Sequence, residues 1–204
     1  MLLIQYKSAA GDRRVGILNG DVVTAITGYA TTLELAQAAI AQGKSLASLA
    51  DAAANGTSES YEAIALGGRL LAPIDHPDAA HCYVTGTGLT HLGSADTRDA
   101  MHKKIGGDVE NLSDSMKMFR MGVEGGKPEA GKAGVQPEWF YKGDGSIVRA
   151  GGQDMEMPDF SLDGGEEPEI AGLYVIGDDG QPYRVGFAIG NEFSDHVTER
   201  QNYL

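Results

Sequence analysis

The sequence holds a single cysteine, Cys82, so no disulfide can form within the chain. That scarcity points to a reducing cytoplasm. Cys82, set between His81 and Tyr83 in a strand-like run, is expected to be buried and inert. Basic residues are also few: 16 Lys+Arg stand against 29 Asp+Glu, a formal net charge of −13. Nucleic acids and anionic membranes are recognised through clustered Lys and Arg, and this balance argues against both as partners. No stretch approaches the ~18 apolar residues that a membrane span requires. The N-terminus places a short apolar run before its charges, the reverse of a secretory signal. Asn55-Gly56-Thr57 and Asn111-Leu112-Ser113 are therefore read as chance glycosylation sequons. No internal repeat is visible.

What is present is a chain able to bury a core. Hydrophobic residues make up 42% of the 204 positions, too many for wholesale disorder. Glycine fills 29 positions, roughly twice the average usage. At about 150 residues per domain, the length fits one domain, or one with a small companion. An acidic chain can still take an anionic substrate when a metal ion acts as the adaptor.

The pattern predicts an α+β fold. Leu2 to Tyr6 and Arg13 to Leu18 are strand-like, with Asn19-Gly20 as a hairpin turn and a return strand over Asp21 to Ile26. A helix starts at Thr31, where Thr31 and Glu34 have capping-box spacing and Leu35, Ala36, Ala39 and Ile40 recur at helical period. Gly43 ends it, and a second helix runs from Ser45 to about Asn55 with Gly56 as its cap. Arg69 to Pro73 reads as a short strand. The polar, Pro-containing Asp75-His76-Pro77-Asp78 marks a boundary between a small α+β domain, 1–74, and a second domain, 75–204. That domain begins with a strand at His81 to Thr85, followed by a polar helix around Ala95 to Lys104. An insertion over about 95–135, with a short amphipathic helix at Met116 to Met121, reads as a lid. Strands are expected again near Phe140, at Ser146 to Arg149 and Asp154 to Met157, and as a hairpin of Pro168 to Ile176 with Tyr183 to Ile189.

The acidic run Gly165-Glu166-Glu167-Pro168-Glu169 carries the most chemistry. At period two, Glu167 and Glu169 project from one strand face about 7 Å apart. Carboxylates that close need a cation or a shared proton. Oxygen-only ligation suits Mg²⁺, Mn²⁺ or Ca²⁺. The return strand can bring Glu192 alongside. The structural alternative is an acidic, solvated strand edge. His91, in a Gly-flanked loop, suits a catalytic imidazole or an ordinary loop histidine. Gly86-Thr87-Gly88 lacks the spacing and βαβ context of a dinucleotide loop.

Glu167-x-Glu169-x-Ala171, a strand–turn–strand, and then Asn191-Glu192-x-Ser194 resemble the metal-site signature of the fumarylacetoacetate hydrolase superfamily. Phe140-Tyr141-Lys142-Gly143 resembles its lead-in strand. Gly86-Thr87-Gly88-Leu89-Thr90-His91 and Gly190-Asn191-Glu192-Phe193-Ser194-Asp195-His196 are similar to a GguC-like sugar-acid branch assigned as 2-keto-3-deoxy-arabinonate dehydratases. The resemblance implies a β-rich mixed roll with a lid, a homodimer, and a divalent cation, usually Mg²⁺, held by Glu167, Glu169 and Glu192. It implies a small 2-oxo acid substrate chelated through carboxylate and ketone. His91 falls where the family places its catalytic histidine. Glu192 stands where most relatives have Asp, and His196 where many have Arg.

The implied reaction is loss of water from a 2-keto-3-deoxy sugar acid, giving 2-oxoglutarate semialdehyde, through a metal-stabilised enolate. His91 is the candidate for proton transfer at C3 or at the leaving C4 hydroxyl, with Glu110 or Lys142 supplying the other role. The alternatives are C–C hydrolysis or decarboxylation of a 2-oxo or diketo acid on the same metal, and a non-catalytic binding module. Family members continue well past the third ligand, so the chain is expected to be a fragment that lacks the C-terminal part of the roll.

Overall fold

A computed structural model describes residues 1–88, 100, 114–135 and 138–201. They fall into two compact units, Met1–Pro77 with Val148–Leu204, and Asp78–Ile147. The described residues form eight strands and five α-helices, and every strand pair is antiparallel, so the fold is α+β.

The first unit opens on a four-stranded sheet in the order β1 (Leu2–Lys7), β2 (Arg13–Asn19), β3 (Val22–Ala25) and β4 (Ser58–Ser60). Side chains alternate across it with period two. Leu3, Val15 and Ile17 pack on one face; Ile4, Tyr6, Leu18 and Val23 pack on the other. Helices α1 (Thr32–Ala41) and α2 (Leu46–Ala53) lay Leu35, Ala39, Leu49 and Ala50 on the first face. Helix α3 (Tyr61–Leu66) lays Ile64 on the second. Thr31 and Glu34 form the predicted capping box, and Ser45 caps α2 by accepting from the Ser48 amide. Gln5 is buried but fully engaged. Its Oε1 accepts from the Thr32 amide at 2.7 Å, and its Nε2 donates to the Ala72 carbonyl at 2.6 Å. That pair of bonds ties β1 to the start of α1 and to the segment leaving the sheet.

Local chemistry explains where the sequence reading and the structure differ. The β2–β3 loop is Gly20-Asp21, one residue later than expected, with Gly20 at φ +60° and Asn19 still paired to Val22. Gly56 does not cap α2. Its amide donates to the Ala25 carbonyl at 2.9 Å, and a Cβ there would meet that oxygen, so it is a close-approach glycine beside β3. Arg69 to Pro73 makes only a single bridge, Leu70 to Tyr6, on the outer edge of β1. β4 and α3 are unforeseen. Their polar run Thr57-Ser58-Glu59-Ser60 reads as loop, yet Ser60 accepts from the Ala63 amide and starts a helix.

In the second unit, the Asp78 side chain accepts from the Ala80 amide and opens a 3-10 turn, Ala79–His81. The strand expected from His81 therefore begins at Tyr83, and Cys82 is half-buried in the bend between, not buried within a strand. β5 (Tyr83–Gly88) pairs with β6 (Glu138–Asp144). The amphipathic helix of the insertion exists and is longer than expected, α4 (Asp114–Gly125). The polar helix around Ala95 to Lys104 lies outside the described residues, apart from Ala100.

The chain returns to the first unit through a stretch without strands. Ser146 to Arg149 begins in a turn held by the Asp144 carboxylate, and Asp154 to Met157 runs as irregular chain. Both were expected as strands. Each is too short to stand without a partner, and neither finds a strand to pair with among the described residues. The predicted hairpin follows, extended mainly at its open end: β7 (Gly165–Ile176) and β8 (Pro182–Ser194), then α5 (His196–Gln201).

Candidate metal centre

The β7–β8 register decides what the acidic run does. Glu167 lies directly opposite Glu192, and Glu169 lies opposite Gly190. Because side chains alternate, Glu167, Glu169 and Glu192 share one face of the ribbon. Gly190 adds no side chain opposite Glu169. One carboxylate oxygen from each lies within 4.8 Å of the others. Glu167 and Glu192 are half-buried and Glu169 is exposed.

Such a cluster runs against the ordinary rule for sheets. Like charges directly opposite each other destabilise a strand pair. The donor set is three hard oxygens, which suits Mg²⁺, Mn²⁺ or Ca²⁺. The residues present fit such an ion.

A second ring of groups surrounds Glu167. The Ser194 hydroxyl donates to its Oε1 at 2.8 Å, and the His196 ring Nε2 lies 3.2 Å from the same oxygen. The Asn191 side-chain oxygen accepts from the Glu167 amide at 3.2 Å. On its other side the His196 ring faces Asp163, Nδ1 to Oδ2 at 3.6 Å. Asp195 anchors this corner. It accepts from the Thr198 hydroxyl at 2.7 Å and amide at 2.9 Å, from the Leu162 amide at 2.8 Å, and from the Ser161 hydroxyl at 3.0 Å. These bonds, those of Thr198 foremost, hold its carboxyl well below the usual carboxylate range.

The sequence reading therefore placed the three acids together correctly. Asn191, Ser194 and His196 stand within the same motif, and the sequence alone assigns none of them a task. The signal was available for Ser194, which lies two residues from Glu192 and so on its face of β8. For His196 no periodicity helps, because α5 starts there. His91 and Glu110 lie outside the described residues. Lys142 lies on β6 in the other unit, its ammonium 5.3 Å from the centroid of the Phe140 ring. Among the described residues, no helix is long and apolar enough to cross a membrane. Comparison with protein-family models, with curated proteins and with solved structures finds no match to this chain.

Proposed function

We propose that this protein is a divalent-cation-dependent dehydratase of a 2-keto-3-deoxy sugar acid, related to the fumarylacetoacetate hydrolase superfamily and built on its β-rich roll. The observation that carries the reading is the meeting of Glu167, Glu169 and Glu192 on one ribbon face, from positions that match the family's metal signature. When bound, the cation supplies a Lewis acid that polarises the substrate's 2-oxo group and makes its C3 protons acidic. The chain's own residues do the rest. The three glutamates hold the ion and so fix the 2-oxo acid head. A base takes one C3 proton, an acid protonates the C4 hydroxyl as it leaves, and loss of a C5 proton with return of one to C3 turns the resulting alkene into the enol of the semialdehyde, for a net loss of one water. His91 is assigned one of these transfers, and Glu110 or Lys142 the other. The single cysteine fits a cytoplasmic setting.

Two measurements on the same preparation test this. Mg²⁺ or Mn²⁺, with oxalate added as a chelating mimic of the substrate head, should raise the melting temperature, since a ligand bound only by the folded state stabilises it. Incubation with 2-keto-3-deoxy-arabinonate and Mg²⁺ should release the semialdehyde, and Glu169→Gln should abolish both effects. No thermal shift with either ion would remove the metal reading. A shift with cleavage of a diketo acid, and no semialdehyde, would replace dehydration by hydrolysis.

A further inference from the structure

The Glu167 carboxylate is held by two neighbouring side chains. Its Oε1 meets two groups that follow Glu192 in the chain, the Ser194 hydroxyl at 2.8 Å and the His196 ring at 3.2 Å. Ser194 reaches across because β7 and β8 pair through to Gly165 and Ser194, the last pair of the ladder. His196 reaches back because Asp195 clips the start of α5 to the Ser161 hydroxyl and the Leu162 amide. The ring then lies against the backbone at Gly165, where a Cβ would run into the imidazole Nδ1 and lie only 2.6 Å from Cε1. Glycine at this position is what admits the ring. A strand end and a helix start thus each bring one group to the same oxygen of Glu167.

We infer that Ser194 and His196 are positioning residues that orient the Glu167 carboxylate toward Glu169 and Glu192, with Gly165 providing the space for the His196 ring. The inference rests on the cation reading above and deepens it. A carboxylate on a glutamate stem turns freely unless something fixes it, and outer groups of this kind tune metal affinity by orienting the ligand. Here Ser194 and His196 both act on one oxygen of Glu167, and Asp163 faces the other side of the imidazole.

The test is a Mn²⁺ titration of the full chain, reading free Mn²⁺ by electron paramagnetic resonance, with the metal-free melting temperature of each variant as a check on folding. Ser194→Ala and His196→Ala should each weaken Mn²⁺ binding by roughly 10- to 100-fold. Ser194→Thr, which keeps the hydroxyl, and His196→Gln, which sets an amide N–H near the place of Nε2, should restore most of the affinity. Gly165→Ala should mimic His196→Ala, and the two should not add, because both act through the same ring. If the parent chain binds Mn²⁺ and the alanine variants bind it equally well, the positioning role is wrong and the cation site stands. Weakening that Thr and Gln do not restore would also overturn it, by marking a general structural effect. If the parent chain binds no Mn²⁺, the site itself falls, and this inference with it.

Discussion

Asp195 shows how much a single half-buried side chain can organise. Four hydrogen bonds from Thr198, Leu162 and Ser161 converge on its two oxygens and hold its carboxyl below the usual carboxylate range. The folded state therefore binds fewer protons at this group than the unfolded chain, whose Asp titrates near 3.9. The stabilisation is complete above that value and is lost as the pH falls through it toward the depressed folded value. The melting temperature of the parent chain should thus drop more steeply below about pH 4 than that of Asp195→Asn, which has no carboxyl to titrate. Parallel slopes for the two proteins in that range would show that the clip carries no weight. Tyr6 is the opposite case. Its ring fills the core on the α3 side of the sheet, while its hydroxyl is buried with no hydrogen-bond partner among the described residues. Burial, and then the nearby Glu59 charge, push that hydroxyl's pKa upward.

At the scale of elements, the capping box of α1 is a local device with a measurable effect. The Thr31 side chain accepts from the Glu34 amide, and the Glu34 carboxylate accepts from the Thr31 amide. Thr31→Ala should lower stability by about 1 kcal/mol in a denaturant titration. An unchanged midpoint would mean that Leu35 and Ala39, packed against the sheet, hold the helix start without it. The elements legible in the sequence share this property of being written locally. A cap, a period of 3.6 and a Gly-containing loop between apolar runs each identify themselves within a dozen residues, as α1, the β2–β3 hairpin and the β7–β8 hairpin did. The illegible ones are decided at a distance. β4 is a strand because Val22, Val23 and Thr24 offer it an edge, and nothing in Ser58-Glu59-Ser60 announces that. Ser146 to Arg149 has strand-like residues and no edge to join. The candidate site divides the same way. Spacing placed Glu167 and Glu169 on one face, and the hairpin turn brought Glu192 across. His196 depends on where α5 begins and on a clip from residues more than thirty positions earlier.

For the whole molecule, the ribbon's second face raises the question of assembly. Ile170, Phe187 and Ile189 share it, opposite to the face of the acids, and they are 79%, 64% and 92% exposed. Exposed apolar clusters of this kind mark contact surfaces. A homodimer, as the family resemblance implies, would have an apolar face available here, and Ile189→Asp would then leave a monomer in sedimentation velocity. A parent chain that sediments as a monomer at tens of micromolar would remove the dimer. The net charge of −13 disfavours association through long-range repulsion, so the dimer should also tighten with added salt.

The direct opposition of Glu167 and Glu192 has one more consequence. Strand pairing of side-chain period two has no intermediate settings: sliding β8 by a single residue against β7 would send Glu192 to the apolar face and bring Asn191 or Phe193 among the acids. A bound cation would therefore act as a proofreader of the hairpin, rewarding the pairing that assembles its ligands over either one-residue slip, which would take Glu192 away from them.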